Sequence, residues 1–222
     1  MIRRAVLAVA ALALSPLAMA EPLSYQRDIQ PIFTAKCVAC HACYDSPCQL
    51  NLGSGEGAER GAHKLPVYNG TRTQAQDTTR LFLDAQGEAA WRRKGFHSVL
   101  EGQSDQAALM ARMLELGRSQ PLAPNVRLPE SLDIGIYRDN QCPLPDEFAA
   151  YAKANPHGGM PFAVTGLSDE EYATLQRWLA QGAPLDSRSW QPSPREQVQI
   201  SDWEGFLNGS SLREQLVGRW LY

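Results

Sequence analysis

With 222 residues the chain has room for one large domain or two small ones, and a net charge of −3 gives no reason to expect a nucleic-acid partner. Fifteen prolines and seventeen glycines, with few alternating apolar stretches, argue against an extended sheet. They predict a mainly α protein of short helices joined by irregular loops.

The N-terminus carries two arginines in Met1–Arg4, an apolar run Ala5–Leu14, a Ser15-Pro16 break and Ala18-Met19-Ala20 before Glu21. This is the pattern of a cleaved secretory signal peptide over residues 1–20; the run is too short for a spanning helix, and an uncleaved anchor is the alternative. Cleavage would remove Arg3, Arg4 and no acidic residue, taking the net charge from −3 to −5. The expected destination is an oxidising compartment outside the cytoplasm, where free thiols are unusual.

Residues 24–36 predict a short helix with Asp28 as its cap, Pro31 in the first turn, and Ile29, Ile32 and Phe33 on one face. That helix feeds Cys37-Val38-Ala39-Cys40-His41, the C-x-x-C-H pattern of covalent c-type haem attachment. Two thiols three residues apart can add to the two vinyl groups on one haem edge. The next imidazole then ligates the iron. Cys37, Cys40, Cys43 and Cys48 also approximate the four-cysteine run of iron–sulfur ferredoxins, with the last interval one residue long, and structural zinc tolerates such clusters. Export favours haem, because a chain crossing a membrane unfolded cannot carry a preassembled cluster. Cys43, Cys48 and Cys142 remain, so one pair and one leftover thiol are expected. Cys48–Cys142 and Cys43–Cys48 both stay open.

Residues 49–76 are polar and aperiodic and predict a loop, with His63 exposed to solvent. One or two helices are expected between Asp77 and Gly102, drawing apolar contacts from Leu81, Phe82, Trp91, Phe96, Val99 and Leu100. There Arg92-Arg93-Lys94 reads as a solvated face and His97 as a satisfied core histidine. A helix starting at Ser104 carries the stripe Leu109, Met110, Met113 and Leu114 and ends at Gly117 as its C-cap. Five prolines make 119–146 an extended segment, and Asp146–Ala154 is a short helix stopped by Asn155-Pro156.

His157-Gly158-Gly159-Met160-Pro161-Phe162 is a loop able to present a thioether. Ser168 and Glu171 then form a capping box opening a helix with Tyr172, Leu175, Trp178 and Leu179 on its apolar face, closed by Gly182 and Pro184. A helix into CxxCH, a methionine loop and a closing helix resemble class I cytochromes c, over Asp28–His41 and Gly159–Pro184. Met160 is therefore assigned as the sixth iron ligand; His157, an open position, or Met160 as plain packing are the alternatives. On this reading residues 21–184 are a cytochrome c-like haem domain with core 24–48 and 157–184. The 118 residues between His41 and Met160 are about twice what a small cytochrome needs, so 49–156 is an insertion, and insertions on a cofactor domain often build a pocket.

After a loose stretch over Arg188–Glu196, a helix capped by Ser201 and Glu204 is expected to end at Asn208-Gly209, with another from Leu212. Residues 185–222 read as a linker and the start of a further helical region, truncated at Tyr222 in mid-pattern. Asn69-Gly70-Thr71 and Asn208-Gly209-Ser210 would matter as glycosylation sites only in a eukaryotic pathway.

The block Cys37–Leu50, with Pro145–Leu167 and Arg213–Tyr222, resembles the start of the bacterial periplasmic cis–trans isomerases of unsaturated fatty acids. The resemblance implies one haem c held by Cys37 and Cys40, with His41 as axial ligand. It also implies isomerisation of cis-unsaturated acyl chains of inner-membrane lipids, free acid or phospholipid, without ATP or NAD(P)H. Family members are longer than this chain, which alone would be an incomplete enzyme. The competing expectation is a cytochrome domain passing electrons to a periplasmic redox partner.

Overall fold

The structure, a computed structural model, describes residues 23–67, 77–103, 105–122, 125–128, 130, 132–135, 140–186 and 192–221. The signal-peptide pattern, Asn69-Gly70-Thr71, Ser104, residues 187–191 and Tyr222 lie outside the described residues. The protein is mainly helical. A π-helical turn, Tyr25–Ile29, runs into α1, Gln30–Lys36; then come a 3₁₀ turn at Pro47–Gln49 and α2, Gly55–Arg60. The strands β1, Ala62–His63, and β2, Phe96–His97, flank α3, Glu88–Arg93. The remaining helices are α4, Leu109–Ser119; α5, Phe148–Ala154; α6, Asp169–Ala180; α7, Pro194–Leu207; and α8, Leu212–Leu221. No helix among the described residues is long and apolar enough to cross a membrane.

The first helix differs from expectation at its start. Ser24 is the cap, its Oγ accepting from Arg27 N, while Asp28 reaches back to Ser24 N at 2.8 Å. Proline inside a helix lacks a donor and crowds the carbonyl four residues back. Here Pro31 is the second residue of α1, directly after the π-turn.

Tyr25, Ile29 and Phe33 are buried and meet Trp178 of α6. The Phe33–Trp178 centroids are 5.9 Å apart with rings at 80°, and Tyr25–Trp178 is also at 5.9 Å. The first is edge-to-face and the second tilted at 44°; aromatic pairs of this kind add about 0.5–1.5 kcal/mol beyond the area they bury. The indole Nε1 donates to Pro184 O at 3.0 Å, so Trp178 is both apolar hub and latch for the chain leaving α6. The capping box at Ser168 and Glu171 is formed as expected. Lys36 beside Glu171 and Arg118 bonded to Asp169 place cations against the negative first turn of α6.

The stripe Leu109, Met110, Met113 and Leu114 is buried on α4, as its spacing requires. Gly117 is no C-cap; α4 continues to Ser119. Glycine there serves close approach, since a Cβ on Gly117 would stand 2.3 Å from Met160 O.

The expected loop at 49–76 instead contains α2 and β1, its helix capped by Ser54 Oγ on Gly57 N. β1 pairs antiparallel with β2, Ala62 opposite His97, and Gly61, at φ +82°, lets His97 O approach where a Cβ would clash. Between 77 and 102 only α3 is helical among the described residues, and Phe82 is exposed, at φ +71°. Trp91, Phe96, Val99 and Leu100 are buried. His63 is half-buried rather than exposed, bonded to Lys94 O and stacked on Phe96 at 5.0 Å. His97 is not satisfied: both ring nitrogens are buried without a partner. Burial first, then nearby Arg92, lower its pKa and keep it neutral.

The helix expected from Ser201 begins at Pro194, because Ser193 and Glu196 form the capping box about two turns earlier. α7 and α8 pack on each other and bury no residue fully.

Candidate functional site

Helix α1 delivers Cys37 as its C-cap, and the chain then turns tightly. Cys40 N and His41 N both donate to Cys37 O, at 3.1 and 2.9 Å, so one helix-like turn separates the two thiols. Cys37 is half-buried against the core and Cys40 exposed; neither is in a disulfide. Burial pushes the Cys37 thiol up to about 11, the opposite of the depressed value that marks a nucleophilic cysteine.

His41 is buried and held at both ends. Its main-chain O accepts from Leu52 N at 2.7 Å, and its Nδ1 lies 3.2 Å from Leu50 O. A carbonyl can only accept, so Nδ1 carries the proton and Nε2 keeps its lone pair. This is how a metal-ligating histidine is oriented by its surroundings. Burial lowers its pKa, which keeps the imidazole neutral, the ligating form. Two unbonded thiols one turn apart and an oriented, buried imidazole are a donor set that fits covalent haem.

Cys48 is bonded to Cys142, across 94 positions of sequence. That pairing takes Cys48 out of the 37–48 run and leaves Cys37, Cys40 and Cys43 as its unbonded thiols. Cys43 is the leftover thiol, exposed and unpaired in the structure.

Met160 is half-buried and packs against the core. Its N–H donates to Met113 O at 2.9 Å, and the Gly159–Met160 backbone lies directly against Gly117 of α4. The loop is thus seated on α4, whereas the polar contacts of His41 are with residues 37–52; no hydrogen bond joins the two among the described residues. His157 is exposed on the same loop.

A layer behind His41 escapes sequence reading. Cys48 and Gln49 have φ of 55° and 50°, two consecutive non-glycine residues in the left-handed region. The buried side chain of Arg60 donates from Nη2 to Gln49 O and from Nη1 to Thr79 O at 2.9 Å. Its guanidinium lies 4.7 Å from the Phe96 ring and 5.3 Å from Trp91. Burial lowers the Arg60 pKa to about 10, leaving it charged at neutral pH. Arg92, expected on a solvated face, instead donates to Arg60 O and Glu59 O at the C-terminal end of α2.

The model of the fatty acid cis/trans isomerase family matches residues 76–222, about two-thirds of the sequence. The chain belongs to this family. It is accordingly a member of an enzyme family acting on unsaturated fatty acyl chains. The matched region contains α3 through α8, Cys142 and Met160, while the CxxCH turn lies before it. No curated protein and no solved structure matches the chain.

Proposed function

We propose that the protein is a periplasmic, haem-dependent isomerase converting cis-unsaturated acyl chains of membrane lipids to trans, with no use of ATP or NAD(P)H. The observation that carries this reading is the coincidence, in one chain, of the isomerase-family match over 76–222 with the CxxCH turn whose histidine is buried and oriented. Residues 1–20 act as signal peptide. Residues 24–48 and 157–184 form a cytochrome c-like core, and 49–156 is inserted between them.

Cys37 and Cys40 would hold one haem by thioether bonds, and His41 Nε2 and Met160 Sδ would ligate its iron. A haem so ligated has a raised potential and, when bound, would withdraw electron density from the C=C bond and lower its barrier to rotation. The protein's own residues supply the setting. Leu50 O keeps the Nδ1 proton in place and Leu52 N holds the His41 backbone, so the ligand does not reorient. His41 is itself buried, which shields the imidazole from water.

Purified mature protein, checked for covalent haem by its pyridine haemochrome spectrum, is mixed with cis-monounsaturated phospholipid or free fatty acid. Trans product is followed by gas chromatography. Product from the wild type and none from Cys37→Ala or His41→Ala is the expected result. Undiminished product from either variant would overturn haem dependence.

A further inference from the structure

Three features meet at residues 48–50. The segment holds two residues at positive φ, it receives a buried cation with no carboxylate partner among the described residues, and its last carbonyl orients His41. Left-handed backbone is costly for a non-glycine residue and persists only where the surroundings over-determine it. The surroundings here can be named. Arg60 Nη2 takes Gln49 O, Thr79 Oγ1 donates to Gln49 Oε1 at 2.5 Å, and Gln49 Nε2 donates to Leu65 O at 2.8 Å. Arg60 Nη1 takes Thr79 O, so one guanidinium ties both strands of the clamp together.

We propose that Arg60 is a positioning residue for His41. It locks Gln49 in its strained conformation, and thereby fixes the Leu50 carbonyl that orients the imidazole. This inference rests on the reading of His41 as the iron's axial ligand. The choice of arginine follows from the geometry. Two carbonyls on separate segments need a planar fork with donors aimed in two directions, and a lysine ammonium on a flexible stem cannot hold both at once. The aromatic faces of Trp91 and Phe96 supply the partial negative charge that a carboxylate would otherwise provide.

The test compares wild type, Arg60→Met and Arg60→Lys as purified haem-loaded protein. Circular dichroism monitors folding, NMR follows exchange of the His41 Nδ1 proton and the Leu52 amide, and a spectroelectrochemical titration gives the midpoint potential. In folded Arg60→Met both protons should exchange at least roughly tenfold faster, with a shifted potential, and Arg60→Lys should not restore either. Folded variants with unchanged exchange and potential would overturn the proposal, as would full restoration by lysine. If Arg60→Met does not fold, Arg60→Gln, which keeps a planar amide but cannot reach both carbonyls, takes its place, and the same exchange measurements decide. Protein purified without covalent haem would overturn the haem reading separately, since His41 and Leu52 exchange is still measured.

Discussion

Asp186 shows how single charged residues define the approach to the site. Its carboxylate accepts from Ser24 Oγ and Gln26 N, both at 2.8 Å, and so anchors the start of the π-turn that leads to Cys37. These bonds, the Gln26 amide foremost, hold its pKa below the ordinary carboxylate value. A depressed folded-state pKa contributes stability above the unfolded value of about 3.9, and that contribution is lost as pH falls through the folded one. Melting temperature should therefore fall more steeply in wild type than in Asp186→Asn between about pH 5 and 3, as followed by circular dichroism. At this scale the sequence showed the residues proposed to hold the haem but not what orients them. Cys37, Cys40 and His41 are adjacent, so their chemistry is in their spacing; Arg60, Thr79 and Leu50 converge only in three dimensions.

The element that most constrains the methionine loop is α4. A Cβ on Gly117 would stand 2.3 Å from Met160 O, and one on Gly159 would meet Gly117 N at 2.0 Å. These are backbone atoms and cannot swing aside. Gly117→Ala should cost about 1–3 kcal/mol of stability in urea unfolding, the usual range for overpacking. With Met160 ligating the iron, the same variant should also weaken the long-wavelength absorption band that marks methionine–iron ligation. An unchanged band in a folded, displaced loop would remove Met160 from the iron. The sequence placed a glycine at the end of a helical stripe and so read it as a cap, because a glycine's local role as a helix stop and its tertiary role as a contact point look identical in one dimension.

On the scale of the whole molecule, the Cys48–Cys142 bond joins the segment behind His41 to the far end of the proposed insertion. Crosslinks over such a span restrict the unfolded chain, and their loss typically costs about 2–5 kcal/mol. Cys142→Ser should lower urea-unfolding stability by that amount, and a reductant should do the same to wild type; no change in either would mean the bond does not constrain the unfolded chain.

Local chemistry was legible from the sequence alone: the CxxCH turn, the Ser168–Glu171 capping box, the apolar stripes of α4 and α6 and the mainly helical class all follow from spacing of 3 or 4 residues along one helix. The start of α7 was missed because two serine-led capping patterns stand eight residues apart, and nothing local ranks Ser193 above Ser201. α2 was missed because three of its residues are glycine or alanine, which carry no periodic stripe. Only the tertiary structure decided which half-cystines pair, why Gly117 is a glycine, and that Arg92 closes α2 rather than facing water. Each of those depends on atoms far apart in the chain being brought within a few ångströms, and that information is carried by packing rather than by neighbours in sequence.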